Sequence, residues 1–158
     1  MTIQALETMT RELKEKQCIL TVQAVFDHSN SLGMAITAIA GAIIWMEKIH
    51  TIWVSESAPS IEVGAIGDTP LMNESVALRH AEDLREIARI WQAYYLDFYL
   101  KGSLESDSAE AGLIEGLCVE SIFAKITEAG AFMEQYALII RRKEEFIQSS
   151  PEIARSGI

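Results

Sequence analysis

Apolar residues return along this chain at intervals of three and four, the repeat of one face of a helix. The pattern is clearest late in the chain. There Ile122, Ile126, Ala129, Met133, Tyr136 and Ile140 follow one another at spacings of 4, 3, 4, 3 and 4, a heptad seam of under three heptads. Residues 3 to 26 predict a first helix. Ile3, Leu6, Leu13 and Leu20 lie near one face with Met9 beside them, while Glu7, Arg11, Glu12, Lys14 and Glu15 lie mostly elsewhere. Glu12 precedes Lys16 by four, a spacing that supports a helix. After Gln17 the segment is almost wholly apolar (Ile19, Leu20, Val22, Val25, Phe26), which predicts a helix that enters the interior as it proceeds.

A polar break, Asp27-His28-Ser29-Asn30-Ser31, offers Asn30 or Ser31 as cap for a second helix from about Leu32 to Ile52. In it Gly33, Ala35, Ala38, Ala40, Gly41 and Ala42 alternate with Ile36, Ile39, Ile43 and Ile44. Each glycine costs a helix about 1 kcal/mol against alanine, so close packing on most sides must offset it. A third helix is capped by Asn73 or Ser75 and stops at Lys101-Gly102. Its apolar face reads Ala77, Leu84, Ile87, Ala88, Trp91, Tyr95 and Phe98.

Between the second and third helices, residues 54 to 71 hold Ser55, Ser57, Pro59, Ser60, Gly64, Gly67, Asp68 and Pro70. At about 18 residues this loop is long for a compact domain. A shorter acidic break spans Ser103 to Ser108. The pattern is then helical to about Gln148, with Thr127-Glu128-Ala129-Gly130 marking a kink or a split into two helices. The prediction is an all-α fold: a bundle of four to five helices with a long C-terminal helix. It forms a single domain over residues 1–148, followed by a flexible tail over 149–158, where Pro151 and Gly157 lie.

Composition narrows what such a bundle can do. Apolar residues make up 49% of the chain and charged residues 23%, normal for a globular protein and wrong for a disordered one. The formal net charge is −10, and no Lys or Arg occurs between Ile49 and Leu78. Such a surface repels phosphate, so nucleic acid is not an expected partner. Arg141, Arg142 and Lys143 form the one basic cluster and read as cations placed near a helix C-terminus. Cys18 and Cys118 make neither a disulfide framework nor a metal knuckle. Both read as small buried hydrophobes, in keeping with a reducing compartment. The run Leu32 to Met46 is short of the ~20 residues that span a bilayer, and the first residues do not resemble a signal peptide. A cytoplasmic protein that does not cross the membrane is the expectation.

Candidate chemistry is sparse. Glu47-x-x-His50 puts a carboxylate and an imidazole one turn apart, the spacing by which ferritin-like bundles bring both groups to one metal. His80-x-x-Asp83 is the nearest companion pair. A mixed site of Glu47, His50, His80 and Asp83 requires the second and third helices to run antiparallel; otherwise both pairs are solvated residues at helix ends. Glu12-x-x-Glu15 resembles the first half of the carboxylate pattern of all-α nucleotide pyrophosphohydrolases. The second half, Glu-x-x-Asp a couple of dozen residues on, is missing, and Asp83-x-x-Glu86 lies too far along the chain to supply it. There is no Gly-x-Ser-x-Gly and no phosphate loop, and neither cysteine has a basic neighbour to lower its pKa. No enzyme activity, metal or cofactor is expected.

The feature that stands out is aromatic. Trp91, Tyr94, Tyr95, Phe98 and Tyr99 fall at i, i+3, i+4, i+7 and i+8, one stripe on the third helix. Five rings on two turns exceed what one face of a small bundle needs, and Tyr and Trp suit interfaces. These five are the expected partner-binding residues, and Trp45 and Trp53 can join them. The functional expectation is a non-enzymatic protein–protein interaction or assembly module that self-associates, in the first instance as a homodimer. The alternatives are a small metal- or ligand-binding bundle and a secreted or membrane-active assembly protein.

Overall fold

A computed structural model describes residues 1–54, 71–101 and 109–149, apart from the side chains of 98, 99, 101 and 109–111. Within these residues the chain forms four helices: α1 (Ile3–Phe26), α2 (Asn30–Val54), α3 (Glu74–Lys101) and α4 (Ala109–Ser149). Thr2 caps α1 by accepting from the amide of Ala5 at 3.0 Å. The helix ends where Asp27 turns extended and donates its N–H to the Gln23 carbonyl. Helix α2 starts earlier than its pattern suggests. Asn30 is already helical, and the Ser29 carbonyl accepts from Gly33. Asn73 caps α3 as expected, its Oδ1 accepting from Val76 at 2.9 Å.

The bundle has four helices rather than five, because α4 runs through Thr127–Gly130 without a break. At Gly130 a Cβ would meet Arg85 and Leu84 of α3 only at ordinary contact distance. The glycine therefore sits in regular helix against a close neighbour and ends nothing.

Directions follow from facing residues. Glu7 meets His50 and Lys14 meets Glu47, so α1 and α2 are antiparallel. Ser31 meets Gln135 while Trp53 meets Glu115, so α2 and α4 are antiparallel. Glu74 meets Arg141 while Tyr95 stacks on Phe123, so α3 and α4 are antiparallel too. Helices α2 and α3 are therefore parallel, and Val54 and Leu71 lie at opposite ends of the bundle. The long loop expected over residues 54–71 falls almost wholly outside the described residues.

The seam of α4 forms the core. Ile122, Ile126, Ala129, Met133 and Tyr136 are all fully buried against Leu32, Ile39 and Met46 of α2 and Leu84 and Trp91 of α3, with Leu6, Leu13 and Leu20 of α1 in the same cluster. The heptad seam is thus spent inside one protomer.

Helix α1 departs from its expected course. Its second half does not sink into the interior: Val22, Val25 and Phe26 are exposed. The buried line is Leu6, Leu13 and Leu20. At about 100° per residue, Val22, Val25 and Phe26 each lie 120° or more around the helix from Leu20. Cys18 falls on that outer side as well, so it is exposed while Cys118 is buried.

Candidate functional site

The aromatic stripe divides. Trp91 is fully buried within the protomer, so this ring is core and presents nothing to a partner. The reason is its place in line with Ala77, Leu84 and Ala88, which face α4. Tyr94 and Tyr95 are half-buried. Tyr95 stacks on Phe123 of α4 at a centroid distance of 6.4 Å. The side chains of Phe98 and Tyr99 lie outside the described residues. Trp53 does join the stripe, edge-on to Tyr94 at 5.6 Å, whereas Trp45 lies elsewhere, beneath the Lys48 ammonium.

At the centre of this end sits a residue the aromatic pattern did not announce. Glu115 is fully buried. It accepts from the Trp53 indole N–H at 2.9 Å and from the Tyr94 hydroxyl at 3.1 Å. One carboxylate thus ties α2, α3 and α4 together, with two donors stabilising it away from water. A signal was present in the sequence: Glu115 stands seven positions before Ile122, on the seam itself, where an acid is out of place.

Beside this cluster an apolar cleft of about 430 Å³ opens between α2 and α4, lined by Trp45, Lys48, Thr51, Ile52, Ile114, Leu117 and Cys118. Leu113, one residue before Ile114 on α4, is 77% exposed. Burial pushes the Cys118 thiol pKa up, partly opposed by the nearby Lys48 ammonium, so the thiol stays protonated and unreactive.

The Glu-x-x-His pairs do not converge. A mixed site required α2 and α3 to be antiparallel, and they are parallel. Glu47 pairs with Lys14 at 3.2 Å and His50 Nε2 lies 3.1 Å from Glu7. His80 and Asp83 instead meet Lys16 farther along α1. Lys16 donates to Asp83 at 2.7 Å and to His80 Nδ1 at 3.3 Å. Burial, and after it the Lys16 charge, lowers the His80 pKa to about 4. Among the described residues no three His, Cys, Asp or Glu side chains stand close enough to hold a metal.

The fold does bring Glu12, Glu15, Asp83 and Glu86 to one cleft of about 360 Å³ between α1 and α3, although they are distant in sequence. Ile19, Ile87 and Ile90 line it as well, together with Lys16. The Lys16 ammonium already pairs with Asp83 here, and these carboxylates read as a charged face.

The opposite end carries a second polar network. Tyr136, fully buried, donates to Asp27 at 2.6 Å and accepts from Gln23, whose Oε1 in turn accepts from the Met72 amide. Burial first, and the Asp27 carboxylate second, push the Tyr136 pKa up to about 12. Arg141 pairs with Glu74 and Lys143 with Asp27. The basic cluster is not at the helix terminus, as α4 continues to Ser149. Helix α2 is long and apolar enough to cross a membrane, yet 44% of its most apolar stretch is buried against the other helices. The chain matches no protein-family model, no curated protein and no solved structure at a significant level.

Proposed function

We propose that this protein is a non-enzymatic helical interaction and assembly module, which associates with a second copy of itself or with another helical protein. The observation that carries this reading is the apolar surface left after the core is complete. Leu113, Ile114 and Leu117 of α4 remain exposed, and the last two line the cleft formed with Trp45 and Ile52. Exposed apolar patches of this kind mark interaction sites in soluble proteins, and a cleft between two helices suits an amphipathic helix laid along it. The half-buried Tyr94 and Tyr95 belong to the same end of the bundle and to the same proposed surface. On this reading the protein acts in the cytoplasm without a cofactor, and its charge of −10 keeps it from nucleic acid.

The test is mass against concentration by sedimentation velocity, from the micromolar to the near-millimolar range. The wild-type chain is compared with a Leu113→Lys/Leu117→Lys double variant. Both positions are surface, so the variant keeps its helicity. Association that weakens in the variant supports the reading. A chain that stays single at every concentration and takes up no amphipathic helix sinks it.

A further inference from the structure

The cleft between α2 and α4 measures about 430 Å³. That is within the range of clefts that take small molecules, about 300–1,000 Å³, which are lined by apolar and aromatic side chains with few polar groups. On α2 the lining runs from Trp45 to Ile52, about 10 Å at 1.5 Å per residue. Ile114, Leu117 and Cys118 of α4 form the facing wall.

The chemistry of an occupant follows from which polar groups of the lining are still unpartnered. The Thr51 hydroxyl donates to the Glu47 carbonyl of its own helix at 3.0 Å. The Cys118 thiol is buried and only weakly polar. Two groups remain, the Lys48 ammonium and the Trp45 indole N–H. Neither makes a hydrogen bond or an ion pair among the described residues. The ammonium lies over the Trp45 ring instead, 4.4 Å from its centroid. This happens in a chain with 23 acids against 13 bases, where other bases on α1 and α4 do find acids. Lys14 pairs with Glu47, and Lys125, packed over Gly41, pairs with Glu128. Glu115, one turn before Cys118, accepts from Trp53 and Tyr94. Both unpartnered groups are donors, and one carries a positive charge. Apolar walls with donors alone select an apolar body bearing one anionic acceptor.

We infer that this cleft binds a free fatty acid, its carboxylate meeting Lys48 and the Trp45 indole N–H and its chain lying between Ile52 of α2 and Ile114 and Leu117 of α4. The inference goes beyond the assembly reading and does not rest on it. An acyl chain and a partner helix would compete for the cleft, and each is tested without the other. Isothermal titration of the full chain with decanoate is expected to show one site per protomer. Affinity should rise up to about fourfold for each methylene added from octanoate to decanoate, as burial of a methylene requires. 1-Decanol has the same chain and no charge, and should bind at least about threefold more weakly. Lys48 is exposed, so Lys48→Glu leaves the core untouched. That variant should weaken decanoate about tenfold, because repulsion replaces attraction, while decanol stays within about twofold and reports an intact cleft. Trp fluorescence locates the chain: 10-bromodecanoate quenches the wild type, and the quenching is lost in Trp45→Phe. Decanoate that does not bind, that binds no better than decanol, or that binds Lys48→Glu as well as wild type overturns the inference. So does quenching that persists in Trp45→Phe. If decanoate fails while self-association yields to Leu113→Lys/Leu117→Lys, the cleft belongs to a helix and only the assembly reading stands. If decanoate binds as described to a chain that never associates, the fatty-acid site stands and the assembly reading falls.

Discussion

Replacing Glu115 by alanine tests the reading of the aromatic end most directly. The carboxylate is fully buried and accepts from both Trp53 and Tyr94. A hydrogen bond to a charged group contributes about 1.5–3 kcal/mol. Two factors reduce the sum. Trp53 and Tyr94 are half-buried, so water reaches the orphaned donors, and removing a buried charge relieves its desolvation. A net loss of about 2–4 kcal/mol is expected. For a domain of this size that lowers Tm by roughly 5–15 °C. The assay is urea unfolding at neutral pH, followed by Trp fluorescence and by circular dichroism. Tyr94→Phe removes one donor and should cost about 1 kcal/mol on its own. Because the two groups share a bond, the double variant should cost less than the sum of the singles, with a coupling of about 1 kcal/mol. Strictly additive losses, or a Glu115→Ala chain as stable as wild type, would show that the carboxylate does not hold the three helices together.

Other measurements probe separate parts of the fold. The fold keeps His80 neutral, with a pKa near 4 against 6.5 in the unfolded chain. Its contribution is complete above pH 6.5 and is lost as the pH falls toward 4. A loss of roughly 1–2 kcal/mol is expected, allowing for solvent screening; a His80→Gln variant with the same acid sensitivity in urea titrations would contradict this. Gly33 is exposed, with open space where a Cβ would stand. Gly33→Ala should therefore raise stability by about 0.5–1 kcal/mol, and a lower Tm would refute that account. Trp91→Ala should cost about 3–5 kcal/mol as a core truncation, whereas Leu117→Ala should change stability by less than about 1 kcal/mol in calorimetry; the reverse order would mean that core and surface have been confused.

Much of the fold was legible because each helix carries its own punctuation. Asn73 caps α3 where capping chemistry predicts, and the seam from Ile122 to Ile140 is the core line of α4. What escaped was relational. Periodicity shows that a face is apolar, not what will cover it, so the ring of Trp91 looked available to a partner and proved to be buried in the protomer's own core. Composition misled at the end of α1, where Val22, Val25 and Phe26 are apolar but lie off the buried line. Helix direction was also beyond local pattern, and it decides the metal question, because parallel α2 and α3 keep Glu47 and His50 away from His80 and Asp83. Glu115 went unnoticed because its meaning comes from a tryptophan and a tyrosine on two other helices.

The parallel course of α1 and α4 has a mechanical consequence. Ile3 lies at one pole of the molecule and Ser149 at the other, so tension applied between them runs along the helix axes. The packed surfaces would have to slide past one another in shear, with many side chains displaced at once, instead of unzipping from one edge. A handle fused at each terminus should accordingly report a stiff, abrupt rupture under load.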